Sequence, residues 1–235
     1  MKYGYTYVYE CITINICETY REEEISIIDK CIEEAIKKIP ENIKKHLEKN
    51  NFEINVVSKK YINKEIYLEN DGITMLEIIK RKFKTLTKYI TFSNSRNGCF
   101  IWGKCCIYVI LHKDMEKIIL HEIGHFLDYI GKSSLVYEDI NELRKQDKKI
   151  PVLIKKGIKP FRKSGNLVFF AIYKKEKKGY SFLEEHYKNK YSEHFAESFA
   201  RYLMKDSKLS KFTKTEKYVK EFIENFKPIE ITKNN

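Results

Sequence analysis

Apolar and polar residues alternate at the start of the chain. Tyr3, Tyr5, Tyr7 and Tyr9 recur at every second position, the period of a half-exposed strand. Ile12 to Cys17 reads as a second, more apolar strand. From Glu22 the period lengthens. Ile25, Ile28, Cys31, Ile32, Ala35, Ile36 and Ile39 return every three or four residues, which predicts an amphipathic helix. Pro40 has no N–H to donate, so it ends or kinks that helix, and Glu41 to Lys49 makes a shorter one. FEINVVS at 52–58 reads as a strand and Glu65 to Glu69 as another. Asp71-Gly72 marks a turn before a basic helical stretch from Met75 to Leu86. Asn97-Gly98 is a turn signal leading into CFIW, and with Gly103-Lys104 and CCIYVIL it predicts a hairpin. Asp114 is placed to cap a helix that buries Ile118, Ile119, Ile123, Phe126, Leu127 and Ile130 and stops at Gly131. Ser192 to Met204 and Glu216 to Phe226 are further helices, and LVFFAIY at 167–173 is a strand or packs on the core. The order predicts an α+β fold with a small mixed sheet and a helical C-terminal part. One domain over residues 1–235 is the simpler reading, with an N-terminal α/β lobe at 1–95 and a catalytic part at 96–235.

Composition narrows the class. With 9 Gly, 4 Pro, 17 Tyr and 14 Phe in 235 residues, a collagen-like or globally disordered chain is excluded. The most apolar region, Cys99 to Leu111, is broken by Lys104, so no membrane span is expected. No secretory h-region is apparent at the start. Six cysteines contain no CxxC pair, which removes the zinc-ribbon and thioredoxin readings. They read as reduced, mostly buried small hydrophobes, and a cytoplasmic location follows as an expectation.

Charge adds a local feature. Lys and Arg number 45 against 33 Asp and Glu, a net +12. Residues 132–190 hold sixteen of the former and seven of the latter, a net +9 that leaves +3 to the other 176 residues. A solvated lysine-rich face is the simpler explanation of this basic insert. Its functional reading is a cover over a cleft that favours acidic substrates or an acidic partner. Nucleic-acid binding has no knuckle, RNP-like or recognition-helix motif to support it. A monomer is expected.

The informative segment is IILHEIGHFLD at 118–128, which contains HExxH as His121, Glu122 and His125. On a helix, residues four apart share a face one turn apart. Two imidazoles there can bind one metal through ring nitrogens at about 2.0–2.1 Å, and a neighbouring carboxylate can reach a water on it. With Zn²⁺, three protein ligands leave the fourth position open and bring the pKa of bound water to about 7. Glu122 can then move a proton from that water to a leaving amine, so the spacing fits peptide hydrolysis. A third ligand must come from elsewhere. The positions three and six residues after His125 hold Asp128 and Gly131, which excludes the metzincin pattern. Glu142 and Glu193 are the alternatives. Glu193 is favoured because it lies one turn from Glu197 on a strongly amphipathic helix, where a carboxylate is costly to bury without a partner or a metal.

HEIGHFLDY at 121–129 followed by EHFAESFARYL at 193–203 resembles the catalytic domain of anthrax lethal factor and the clostridial proline-proline endopeptidases. KTEKYVKEFIENF near the end is similar to that family's last helix. The resemblance implies a zincin-like fold and one Zn²⁺ per chain, with His121, His125 and Glu193 as ligands and Glu122 as catalytic base. It implies that Glu197 orients a ligating imidazole, and that the substrate is a protein or peptide. In the family a Tyr seven residues before the third ligand stabilises the oxyanion. Here that position is His186, and a one-residue deletion would put Tyr187 in the role, ahead of Tyr191 or Tyr180. The interval from His125 to Glu193 is also longer than in those relatives. A strand beside the active-site helix can pair with extended substrate, and Cys105 to Ile110 is the candidate, an ordinary buried strand being the plainer reading.

Three other functions compete with a lethal factor-like zinc endopeptidase. One is a cytoplasmic metalloprotease that cleaves repressors on mobile elements. Another is a catalytically silent binding module, since lethal factor-like toxins carry a degenerate docking copy of the fold. The third is a basic nucleic-acid-binding protein. Intact His121, Glu122 and His125 count against the silent module.

Overall fold

Long apolar runs interrupted by single asparagines build the sheet. The computed structural model describes residues 2–62, 97–100, 105–130, 167–176 and 191–226, and element numbers refer to these. Strand β1 (Tyr3–Tyr9) pairs antiparallel with β2 (Ile12–Cys17) across a turn in which Glu10 takes a left-handed φ of 51°. The Glu10 carboxylate lies 2.6 Å from Lys44 Nζ. Beyond β2 lie β3 (Glu53–Val56) and β5 (Cys106–Val109), both parallel to their inner neighbours, and then β4 (Gly98–Phe100), antiparallel to β5. The order is β1-β2-β3-β5-β4. Strands β2, β3 and β5 are buried almost throughout, as expected where a strand is covered on both faces, whereas β1 is largely exposed.

Two asparagines inside this apolar sheet specify its register. Asn15 and Asn55 face each other on β2 and β3, and the Asn15 amide donates to Asn55 Oδ1 at 3.1 Å. Tyr3 donates to the same oxygen at 2.7 Å, Thr6 donates to Asn15 Oδ1 at 3.0 Å, and the Asn55 amide donates to the Ile107 carbonyl at 3.4 Å. A slip of one residue would move each asparagine to the opposite face and strand buried polar atoms.

The parallel step from β2 to β3 needs a crossover. Helix α1 (Glu22–Lys38) supplies it with α2 (Glu41–Lys49). Helix α1 buries Ile25, Ile28, Ile32, Ala35 and Ile36 along one stripe. The Glu24 carboxylate accepts the Arg21 N–H at 3.0 Å at its start, and Lys37 and Lys38 complement the dipole at its end. It stops before Pro40, as the missing N–H requires. A single turn, α3 (Lys59–Tyr61), follows β3.

The chain divides into two compact units, Met1–Ile39 with Lys44–Glu122, and Pro40–Ile43 with Ile123–Asn235. The second contains α5 (Leu167–Glu176), α6 (Tyr191–Leu203) and α7 (Thr213–Glu224) around an aromatic cluster. Phe169 meets Phe195 edge-on at 5.4 Å and Phe195 meets Phe222 at 4.8 Å, geometries that add to the area each ring buries. LVFFAIY is therefore a helix packed on the core and not a strand. The helical turn puts Phe169 and Tyr173, four apart, on the buried side. Among the described residues, no helix is long and apolar enough to cross a membrane. The Met75 to Leu86 helix, the Glu65 to Glu69 strand and the Gly103-Lys104 turn lie outside them.

A buried charge cluster closes α6. The Arg201 Nε and Nη2 each reach Glu197 Oε1 at 2.8 Å, and Nη1 of the same guanidinium pairs with Asp206 just past the helix end. Burial pushes the Asp206 carboxyl up, but the Lys208 N–H and the Arg201 guanidinium outweigh it and hold its pKa below the ordinary value. A carboxyl depressed in the fold contributes stability above its unfolded pKa of about 3.9, lost as pH falls through the folded value. The Asp206→Asn variant should therefore be less stable than the parent above about pH 5, and the gap should close below about pH 4. Urea midpoints across that range measure it, and a gap constant with pH would contradict the assignment.

Candidate metal centre

Helix α4 (Met115–Ile130) carries most of the site. Its start is set by Asp114, whose carbonyl accepts the Ile118 N–H at 3.0 Å, and by His112, whose Nδ1 accepts the Asp114 N–H at 3.1 Å. In its first turn Glu116 pairs with Lys38 of α1 at 2.8 Å. Ile119, Leu120, Ile123 and Leu127 are fully buried and Phe126 nearly so, which leaves a narrow stripe for His121, Glu122 and His125. The two histidines are half-buried and Glu122 is 7% exposed.

Helix α6 brings the carboxylate. Glu193 Oε2 lies 3.4 Å from His125 Nε2. One ligand atom from each of His121, His125 and Glu193 falls within 4.8 Å of the others, so the three form a group able to hold a metal ion. Two atoms each about 2.0–2.1 Å from one tetrahedral ion stand roughly 3.3 Å apart, close to the separation seen for His125 and Glu193. Glu193 is thus the carboxylate brought to the histidines. Glu142, Tyr187, His186 and Tyr180 lie outside the described residues, and Tyr191 is the first residue of α6. Glu197, one turn beyond Glu193, is buried and paired with Arg201.

Gly124 explains how α6 comes so near. A Cβ on it would lie 2.9 Å from Ala196 Cα, 3.3 Å from the Ala196 carbonyl and 3.3 Å from Phe199 Cδ1. The backbones of α4 and α6 touch there, beside His125 on one helix and between Glu193 and Glu197 on the other. Sequence reasoning passed over this residue. Its signal was a glycine inside a strongly apolar helix, where alanine would be favoured by about 1 kcal/mol unless packing forbids it. The expected strand for substrate, Cys105 to Ile110, is also corrected. β5 is paired with β3 on one side and β4 on the other, and has no free edge to offer.

A family model described as "Anthrax toxin lethal factor, N- and C-terminal domain" matches residues 12–225. The chain belongs to the anthrax lethal factor family. No curated protein matches it. The family description names two domains. His121, Glu122, His125 and Glu193 have the layout of a zinc endopeptidase active site.

For this lethal factor-like site the contact at Gly124 is directly testable. Gly124→Ala gains helix propensity but pushes a methyl into main chain that no rotamer can clear, and overpacking costs about 1–3 kcal/mol. The variant should lower the urea midpoint of the metal-free protein and weaken metal binding at least tenfold in a chelator competition. Parental stability with parental affinity would show that the helices do not need this contact.

Proposed function

We propose that this chain is a zinc-dependent endopeptidase acting on an extended stretch of a protein or peptide. The observation that carries the proposal is the group of His121, His125 and Glu193 with the buried Glu122 next to it in sequence. Two imidazoles and one carboxylate match the donor set of catalytic zinc sites, and these three side chains would hold the ion. Zinc, when bound, supplies a Lewis acid that acidifies water and polarises a carbonyl.

Glu122 takes the proton of the attacking water and returns it to the departing amine, work that a buried carboxylate at this position suits. Tyr187 donates to the oxygen on which negative charge develops. Glu197, held by Arg201, orients a ligating imidazole from behind. Extended substrate adds to the outer edge of β4, the terminal strand of the sheet among the described residues, whose first residue lies against Glu122. The basic insert favours acidic sequences through its field. Six cysteines with no CxxC pair among them support action in a reducing compartment, the cytoplasm.

Zinc content and cleavage of a peptide library test this reading together. The parent should bind about one zinc and cleave. Glu122→Gln should retain the metal and lose about 10²–10⁴ in rate, the usual contribution of a general base. Glu193→Ala should lose zinc affinity instead. A parent that binds zinc and cleaves nothing, or a Glu122→Gln variant that cleaves normally, would overturn the assignment.

A further inference from the structure

We infer that Gly98 is a positioning residue for Glu122: the space its missing side chain leaves is the space that fixes the catalytic carboxylate. The inference rests on the endopeptidase reading and extends it to strand β4. Gly98 has an ordinary backbone conformation, with φ outside the left-handed region, so no turn requires a glycine there. Nor is it in the turn that Asn97-Gly98 leads one to expect, because it is the first residue of β4.

The demand is steric. A Cβ on Gly98 would lie 2.6 Å from Ile118 Cγ2, 2.9 Å from Glu122 Oε1 and 3.0 Å from Glu122 Cγ. Ile118 and Glu122 are one turn apart on α4, so both face the strand at this point. Neither backbone can easily retreat. Gly98 is paired with Val109, and the Ile110 N–H donates to the neighbouring Asn97 carbonyl at 3.0 Å. The packed core residues Ile119, Leu120 and Ile123 hold α4. What can move are side chains. Ile118 can shift its methyl, and Glu122 can rotate its carboxylate away from the strand. The second movement takes the base from its working position and leaves His121, His125 and Glu193 untouched. A carboxylate displaced by about 1 Å from its working position costs on the order of 10²-fold in rate.

Gly98→Ala separates this role from simple packing. We expect zinc affinity within about threefold of the parent by chelator competition, since no ligand is disturbed. The kcat should fall at least tenfold, with a smaller change in KM. In the metal-free crystal structure of the variant, the Glu122 carboxylate should be rotated from its parental position. Gly98→Ala added to Glu122→Gln should cost nothing further, because both act through one group. Should Gly98→Ala fail to fold, Gly98→Ala/Ile118→Ala removes the methyl at 2.6 Å while keeping the conflict with Glu122. That double variant should fold, bind zinc and show the same loss of kcat. Parental kcat in whichever variant folds, an unmoved Glu122, or a loss additive with Glu122→Gln would overturn the inference. A parent that binds zinc without cleaving anything would overturn the endopeptidase reading instead, and the position of Glu122 in the variant crystal would still test Gly98.

Discussion

Two helices come into backbone contact only where neither carries a bulky side chain at the crossing, and at Gly124 the volume a Cβ would need is already occupied by Ala196. The remaining geometry of the carboxylate ligand follows from that contact. Ala196 sits three residues after Glu193, almost one turn, so fixing its position against α4 fixes the reach of Glu193 toward His125. A helix can supply the spacing of two imidazoles by itself. It cannot supply a third ligand, which has to arrive on another element with a tolerance well below the size of a side chain. The small residue at the crossing is what makes that tolerance achievable.

The first residue of β4 poses a related packing problem. There β4 meets Ile118 and Glu122, and again a glycine occupies the point of closest approach. Glycine has no conformational task at either position. Gly98 leaves room for Ile118 and Glu122 and Gly124 for Ala196 and Phe199, and both weaken the intrinsic propensity of the element they sit in. That local conflict between propensity and packing is what a functional site looks like in an otherwise consistent fold.

Much of this architecture was legible from periodicity. The extents of β2, α1 and α2 coincide with the alternating and three-to-four-residue patterns, and the break at Pro40 falls where its chemistry puts it. HExxH marks the metal-binding face, and the amphipathic helix around Glu193 points to the third ligand. Less was visible where the pattern has no period. LVFFAIY is apolar at every position, so strand and helix bury it equally well, and only the aromatic partners on α6 and α7 favour the helix. Strand order was likewise hidden, because nothing in CCIYVIL says that both of its edges are taken. Arg201 shows a third limit. It sits in an amphipathic helix and is buried with Glu197 and Asp206 as its ion-pair partners, the second of them past the helix end.

The start of α7 depends on a group from another helix. Phe212 stands at the position before that helix and has no side-chain acceptor to offer its first amides. The acceptor comes from the last residue of α5. The Glu176 carboxylate takes the Lys214 N–H at 3.2 Å, the Thr215 N–H at 3.1 Å and the Thr215 hydroxyl at 2.6 Å. A cap borrowed from another helix couples the fraying of one to the undocking of the other. Hydrogen exchange at the first turn of α7 then reports on α5, and the two helices behave as one cooperative unit.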